Sequence, residues 1–250
     1  MPLSSSDRFL GRVETYAKFR PSYPAAAIDL LEARCGLRPG ADAVDLGSGT
    51  GILSALLLKR GARVFGIEPN KEMRYYSDLA LSGEFYSESG TAENTHMPDR
   101  FFDLLVAGQA FHWFDPQKTR MEALRILKPG AWAALLWNER PKGLVPFLED
   151  YEALLRRYAP EYDAVARLRA QEDGIRQFFG HAPERATFCN QQLLDFEGLA
   201  GRVASSSYAP MPDRPEHAPL MAGLREVFDL HQRDGKVVFP YQTLVYFGQP

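Results

Sequence analysis

The 250-residue chain is poor in cysteine and contains no long hydrophobic run. Its two cysteines, Cys35 and Cys189, lie outside any C-x-x-C or metal-ligand spacing, which favours two free thiols in a reducing compartment over a disulfide scaffold. No apolar run approaches the length of a membrane span, and Met1–Ser6 lack the basic and apolar regions of a signal peptide. The sequence therefore predicts a cytoplasmic protein with no membrane partner.

Strong charge of either sign is also lacking. The formal net charge is −3, and 24% of the residues are charged and 45% hydrophobic, as in ordinary globular proteins. The basic residues are scattered, so we expect no nucleic-acid partner. No two histidines have the spacing of metal ligands, so we expect no metal site. Nothing in the sequence indicates an oligomeric state.

The most informative segment is a glycine-rich turn between a predicted strand, residues 42–46, and a predicted helix, residues 52–60. Gly47, Gly49 and Gly51 occupy alternate positions in this turn. Glycine lets the backbone adopt positive φ and lets a ligand approach without meeting a Cβ atom. The helix that follows presents unpaired N–H groups. The segment therefore predicts a binding site for a nucleotide-like ligand.

Asp45 and the glycine spacing indicate which ligand this turn binds. A dinucleotide-binding turn reads G-x-G-x-x-G and holds a pyrophosphate, whereas here the third glycine comes one residue earlier. A carboxylate in front of the turn would repel a pyrophosphate and would suit a ligand that carries an ammonium group. The pattern D-x-G-x-G-x-G over residues 45–51 resembles motif I of the class I S-adenosylmethionine-dependent methyltransferases.

A second carboxylate, Glu68, ends the next predicted strand, residues 62–67. It lies about twenty residues after the turn, where βαβ folds place the acid that binds the ribose hydroxyls. The alternative role is a helix N-cap, but Asn70 is better placed to cap the helix predicted from residue 71. We therefore expect Glu68 to bind ribose.

Strands and helices alternate along most of the chain, with predicted strands over 42–46, 62–67, 84–88, 102–107, 131–137, 185–195 and 237–247. This alternation predicts an α/β fold with a doubly wound, Rossmann-like sheet of seven strands, mostly parallel with an antiparallel last strand. Gly47, Glu68 and Gln109 all follow strand ends, so they should meet at one crevice.

The predicted chain has three parts. Residues 1–138 form the cofactor-binding core with an N-terminal helical extension, and residues 185–250 complete the core sheet. Residues 139–184 form a helical cap or lid, because 146–180 are predicted mostly helical with apolar residues at core-face spacing. The alternative is a simple extra layer of helix.

Further stretches resemble the type 11 group of these enzymes, including relatives of trans-aconitate methyltransferase. Ala92-Glu93 and the run Gln109-Ala110-Phe111-His112-Trp113-Phe114 resemble motifs II to III, and Tyr16–Pro24 resembles a Tyr-x-x-x-Arg-Pro-x-Tyr-Pro stretch. Ser205–Tyr208 and residues 237–246 resemble segments of the same relatives. The resemblance covers residues 9–138 and is weaker over 139–236.

This resemblance implies S-adenosylmethionine as the cofactor. Asp45 would receive the methionine ammonium, Ala92 and Glu93 would flank the adenine, and Gln109 would lie near the sulfonium. Tyr16 is a candidate for the cofactor carboxylate, and Arg20 for either the cofactor or a substrate carboxylate. The complete implied cofactor set is Tyr16, Arg20, Asp45, Gly47, Ser48, Gly49, Gly51, Glu68, Pro69, Ala92, Glu93, Gln109 and Ala110.

The substrate side is predicted from fewer residues. Tyr23, His112 and Trp113 are the candidate substrate contacts, since aromatic faces attract a cation by roughly 0.5–2 kcal/mol each. His112 is the candidate catalytic base for a hydroxyl or amine acceptor, with an orienting role in its loop as the alternative. The expected reaction is methyl transfer to an oxygen or nitrogen of a small organic molecule, with a carboxylate among the candidates. The alternatives are an NAD(P)-dependent oxidoreductase and a non-catalytic S-adenosylmethionine-binding protein.

Overall fold

The computed structural model describes residues 13–141, 143, 145–164 and 172–250. The helices are α1 (Val13–Phe19), α2 (Ala25–Arg34), α3 (Ile52–Leu58), α4 (Lys71–Ala80), α5 (Pro116–Ile126), α6 (Pro146–Tyr158), α7 (Glu172–Phe179), α8 (Phe196–Ala204) and α9 (His217–His231). The strands are β1 (Asp42–Leu46), β2 (Arg63–Ile67), β3 (Phe85–Glu88), β4 (Phe102–Gly108), β5 (Leu127–Glu139), β6 (Glu184–Leu194) and β7 (Val237–Gly248). The predicted helical segment 146–180 includes residues 165–171, which lie outside the described residues.

The strands form one seven-stranded sheet in the order β3-β2-β1-β4-β5-β7-β6. Strands β1 to β5 pair in parallel, and β7 runs antiparallel to both β5 and β6. The predicted doubly wound sheet with an antiparallel last strand is confirmed. The chain crosses from β3 past β2 and β1 to β4, so the switch point lies between β1 and β4, where such folds bind ligands.

Strand β1 lies at this switch point, and its residues are buried on both faces of the sheet. Ala43 packs in an apolar cluster with helices α2 and α3, whereas Val44 packs in a second cluster on the opposite face of the sheet with α5 and α7. A strand covered by helices on both faces reads as a continuous apolar run. Asp45 interrupts that run and is buried all the same.

A third apolar cluster lies beside the sheet and is built by α6, α8, α9 and the start of β7. Tyr151 of α6, Leu199 of α8 and Leu224 of α9 are fully buried there against Phe239 of β7. This cluster joins residues from both sides of the predicted boundary at residue 184. The division into core and cap remains a prediction.

Two elements differ from the sequence-based expectations. Helix α1 lies in the region predicted as an N-terminal helical extension, but its bounds were not predicted, because none of its residues is buried and it therefore carries no apolar periodicity. Strand β5 begins at Leu127 rather than at residue 131, because buried Leu127 pairs with Phe102 before a register shift. Pro129 and Gly130, a pair typical of turns, lie within the strand at this irregularity.

Among the described helices, none combines the length and apolar character needed to cross a bilayer.

Candidate active site

The glycine turn connects β1 to α3 in a conformation that suits glycine. Gly47, Gly49 and Gly51 have φ angles of 66°, 56° and 83°, in the left-handed region. A Cβ on Gly47 would lie 2.6 Å from the Cβ of Ala110, so the turn and the segment after β4 are in close contact. The backbone N–H of Gly47 donates to the carbonyl of Ile67 (2.8 Å), which ties the turn to β2.

Asp45 is the buried acid of the site, with a side chain beside the glycine turn. Its Oδ2 accepts a hydrogen bond from the Ser54 hydroxyl of α3 (2.7 Å). Within the described part of the chain, its Oδ1 is buried and has no hydrogen-bond partner. Burial, assisted by the charge of Glu68 and opposed by Ser54, raises the pKa of Asp45 to about 7. Such a group gains most from a ligand that brings a positive charge or a hydrogen-bond donor.

Glu68 connects the turn to helix α4. One carboxylate oxygen accepts from the backbone N–H of Gly49 (3.0 Å) and the other from that of Asn70 (2.8 Å). Burial raises the pKa of Glu68. The Asn70 side chain accepts from the N–H groups of Glu72 and Met73, so the predicted capping role of Asn70 is confirmed. Glu68 is thus held at the turn with both oxygens already engaged by backbone donors.

A narrow cleft of about 40 Å³ lies against the turn at the carboxyl ends of β1 and β4. Its lining brings together many of the residues predicted from the sequence, namely Tyr16, Arg20, Tyr23, Asp45, Gly47, Ser48, Gly49 and Gln109. Asn138 and Arg202 also line this cleft. Elements from both ends of the described chain therefore meet at the predicted crevice.

Helix α1 and the segment after it form the outer wall of the cleft. The Arg20 guanidinium lies 4.8 Å from the centroid of the Tyr16 ring and donates to the carbonyl of Ser205 (2.8 Å). Arg20 thereby joins the N-terminal wall to the end of α8. Tyr23 is buried against Gly108, and a Cβ at Gly108 would lie 2.5 Å from the Tyr23 hydroxyl. Burial raises the pKa of Tyr23, which keeps its hydroxyl protonated.

The lining does not include the other predicted residues: Gly51, Glu68, Pro69, Ala92, Glu93, Ala110, His112 and Trp113. Glu93 accepts from the backbone N–H of Asp115 at the start of α5 (2.9 Å). Ala92 is buried in the apolar cluster beneath α5. His112 and Trp113 belong to a single 3-10 turn after Ala110, with ring centroids 4.7 Å apart.

Asn138 and Arg202 are two of the cleft residues that the sequence analysis missed. Asn138 lies at the end of β5. Its side-chain amide donates to the backbone carbonyl of Ser22 (3.2 Å), and its backbone carbonyl accepts from the side-chain amide of Gln109 (3.0 Å). Gln109 has a φ of 59°, and its backbone N–H donates to the carbonyl of Leu136 (2.9 Å). Arg202 comes from α8, more than sixty residues further along the chain. No local motif marks either residue.

The fold resembles those of solved methyltransferases. A structure from Anaeromyxobacter dehalogenans, described as a type II methyltransferase, superposes with a TM-score of 0.66 and covers 92% of this chain and 98% of its own, at 20% identity. A structure from Anabaena variabilis ATCC 29413, described as a methyltransferase from an antibiotic biosynthesis pathway, gives 0.62 at 19% identity and covers 92% and 99%. These likenesses show a shared fold.

Sequence comparison defines the family. A family model described as a methyltransferase domain matches residues 44–135. An uncharacterized methyltransferase of Mycobacterium tuberculosis (strain ATCC 25618 / H37Rv) is 38% identical over 245 residues, covering 94% of this chain and 93% of the relative. Trans-aconitate 2-methyltransferase of Azoarcus sp. (strain BH72) is 34% identical over 125 residues, 49% of this chain and 48% of that protein. The chain belongs to the methyltransferase family.

The protein is accordingly a methyltransferase by family, and the alternative of an NAD(P)-dependent oxidoreductase is wrong. The residues present fit S-adenosylmethionine, the cofactor predicted from the sequence. The Oδ1 of Asp45 is buried at the glycine turn without a partner among the described residues, so it can accept a hydrogen bond from an ammonium group. Gly47 and Gly49 both line the cleft, so the turn borders the space proposed for the cofactor.

Proposed function

We propose that the protein transfers the methyl group of S-adenosylmethionine to an oxygen or nitrogen atom of a small organic molecule, with carboxylates among the candidate acceptors. The observation that carries the proposal is the buried Oδ1 of Asp45, which has no hydrogen-bond partner within the described residues and lies beside three glycines of positive φ. Similarity to a trans-aconitate 2-methyltransferase over about half of the chain supports a small acidic acceptor.

In this proposal, the cofactor supplies an electrophilic methyl group on a positively charged sulfur, and the protein positions it. Asp45 binds the ammonium of the methionine moiety, and Glu68 binds ribose with the acceptor capacity that its backbone bonds leave. Gly47, Ser48, Gly49, Gly51 and Pro69 shape the methionine and ribose path.

Other residues complete the proposed cofactor site. Ala92 and Glu93 border the adenine, and Gln109 and Ala110 lie close to the sulfur. Tyr16 and Arg20 close the outer wall of the cleft, where they can reach the cofactor carboxylate or the acceptor. A reducing cytoplasm is the proposed compartment, in keeping with the free thiols of Cys35 and Cys189.

The acceptor is proposed to lie between Tyr23 and the turn that carries His112 and Trp113. Whether His112 acts as a base depends on the acceptor, because a carboxylate is already anionic whereas a hydroxyl must lose a proton. The variant His112→Gln separates these cases. Its kcat should fall strongly with a hydroxyl acceptor and remain near the wild-type value with a carboxylate.

Calorimetry with S-adenosylhomocysteine tests the cofactor part of the proposal, with NADH as the matched negative control. Binding of S-adenosylhomocysteine and no binding of NADH is expected. Transfer of a labelled methyl group to members of a panel of small acids, alcohols and amines then identifies the acceptor class. Failure to bind S-adenosylhomocysteine, or methylation of macromolecules alone, would contradict the proposal.

A further inference from the structure

The structure contains a buried arginine whose charge is not balanced by a carboxylate. Arg202, on α8, is only 4% exposed and donates to the hydroxyls of Tyr241 (2.9 Å) and Ser206 (3.1 Å), both neutral groups. No carboxylate forms an ion pair with it among the described residues, and outside them the sequence holds a single acidic residue, Asp7. Burying an unpaired charge is costly, so Arg202 has a strong preference for an anion.

Arg202 lies where such an anion would be next to the proposed cofactor. It lines the cleft beside Asp45 and also lines an adjoining groove between β5, β7 and α6. Asn138, at the end of β5, also lines both the cleft and the groove. A molecule lying in the groove would therefore touch Arg202 at the point where the groove meets the cleft.

The surroundings of Arg202 are built for a polar ligand. Arg140 lies close by and donates to Glu152 (2.9 Å) and to the hydroxyls of Tyr162 and Tyr208. The Tyr151 hydroxyl is buried without a hydrogen-bond partner among the described residues. Burial raises the pKa of Tyr151, while the charges of Arg202 and Arg140 act in the opposite direction. The Arg140 guanidinium lies 5.7 Å from the centroid of the Tyr151 ring.

The charges of this arginine–tyrosine cluster (Arg140, Tyr151, Arg202, Tyr208 and Tyr241) do not cancel. Glu152 balances Arg140, and it also accepts from Arg156 (3.1 Å) at the exposed side of the groove. Arg202 is therefore the group with unbalanced charge. Its planar fork suits a carboxylate, which can take two parallel hydrogen bonds from it.

We propose that Arg202 binds a carboxylate of the methyl acceptor, so that the acceptor is a small organic acid held by this cluster. This inference rests on the proposed methyltransferase function and adds the chemical class of the substrate. The carboxylate that Arg202 holds is not the group that is methylated. Methylation would turn this carboxylate into a neutral ester, which the guanidinium no longer attracts. The acceptor thus carries at least one further nucleophilic group, such as a second carboxylate, a hydroxyl or an amine.

The test measures binding of small acids to the protein saturated with S-adenosylhomocysteine. The probes are succinate, citrate and trans-aconitate, each compared with its neutral methyl ester. At least one acid should bind at least about tenfold more tightly than its ester. Arg202→Gln should reduce the affinity for that acid by about 10–100-fold, as expected when a charged hydrogen-bond partner is removed. Arg202→Lys should give an intermediate loss, because it keeps the charge without the fork.

The matched control is Arg185→Gln, since Arg185 is an exposed arginine on the same groove that packs on the Tyr246 ring at 5.5 Å. It should leave acid binding within about twofold of wild type, and S-adenosylhomocysteine affinity should be unchanged in both arginine variants. If Arg202→Gln reduced the affinity for S-adenosylhomocysteine as much as the affinity for the acid, Arg202 would belong to the cofactor site and the proposal would be overturned.

Two wild-type measurements keep the proposal falsifiable if Arg202→Gln fails to fold. Esters that bind as tightly as the acids, or S-adenosylhomocysteine binding without binding of any acid, would overturn the acid-binding role and leave the methyltransferase proposal standing. Failure of the wild type to bind S-adenosylhomocysteine would instead refute the proposed function.

Discussion

The two walls of the cleft are built in different ways. The wall on the β1–β2 side carries the buried carboxylate of Asp45. The buried carboxylate of Glu68 follows the neighbouring strand and binds the backbone of the same glycine turn. The opposite wall carries the buried guanidinium of Arg202, with tyrosines contributed by distant segments. The first wall suits a positively charged ligand group and the second suits an anion. The negatively charged wall can thus bind the ammonium group of the proposed cofactor, while the positively charged wall binds an anionic group of the proposed acceptor.

The largest expected effect comes from adding a side chain to the turn itself. Gly47→Ala should destabilise the protein by more than about 2 kcal/mol, because it combines a left-handed φ with a contact of 2.6 Å to Ala110. S-adenosylhomocysteine binding should be lost. The measurements are urea denaturation and calorimetry. Gly40→Ala is the control, since Gly40 has a φ of 76° and no atom near its Cβ position. If both variants lose the same stability, the turn is less tightly packed than the structure indicates.

The next effect sharpens the contrast between the two walls. Asp45→Asn should weaken S-adenosylhomocysteine binding by about 1–3 kcal/mol, because a charged partner of the ammonium is lost. The KM of the acceptor, measured at saturating cofactor, should stay near its wild-type value. A parallel rise in that KM would show that the two walls do not act separately. Glu68→Ala should behave in the same direction on the cofactor side.

The pH dependence of Asp45 gives a further test with a defined sign. Its pKa is about 7 in the folded protein and 3.8 ordinarily, so the folded state binds a proton that the unfolded state has lost. The protonated Asp45 therefore stabilises the unliganded protein fully below about pH 4, and this stabilisation is lost as the pH rises to about 7.

Cofactor affinity should change in the opposite direction, because the ammonium group pairs with the carboxylate form. The affinity for S-adenosylhomocysteine should therefore increase up to about pH 7 and level off above it. Asp45→Asn should remove both trends, as measured by denaturation and calorimetry across this range. Persistence of the affinity trend in the variant would assign it to another group, with Glu68 the first candidate.

The smallest expected effect compares one helix cap from each region. Asn70 caps α4 beside Glu68, and Asp195 caps α8 by accepting from the N–H of Gly198 (2.8 Å). Each substitution by alanine should cost about 1 kcal/mol of unfolding free energy. Only Asn70→Ala should also weaken binding of S-adenosylhomocysteine, because loss of the cap loosens the start of α4, where the backbone N–H of residue 70 holds one oxygen of Glu68. Equal effects of the two variants on binding would remove the distinction between the walls.

Much of the first wall could be predicted from the sequence because its signals are local. The alternation of apolar runs and helical periods indicated the sheet, and the left-handed φ angles of the turn require the glycines that are present there. Asn70 was recognised as a cap from its position alone. The early start of β5 was missed because the pairing of Leu127 with Phe102 depends on a bulge, and a turn signal at Pro129 pointed the other way.

The second wall had no comparable signal. Helix α1 buries none of its residues and so leaves no periodic pattern, and yet it supplies Tyr16 to the cleft and leads into Arg20. Arg202 reads in the sequence as an ordinary basic residue near the end of a helix. Its importance comes from burial at 4% exposure among tyrosines from three other segments.

The sequence by itself determined the sheet, the glycine turn and the acidic residues that follow the strand ends, because backbone conformation and burial period act over short stretches of chain. Only the tertiary structure decided which distant side chains complete the cleft. Whether the charge of an arginine such as Arg202 is exposed to water or buried without a counter-ion depends on how α8 packs against β7 and α6, and no local pattern contains that information.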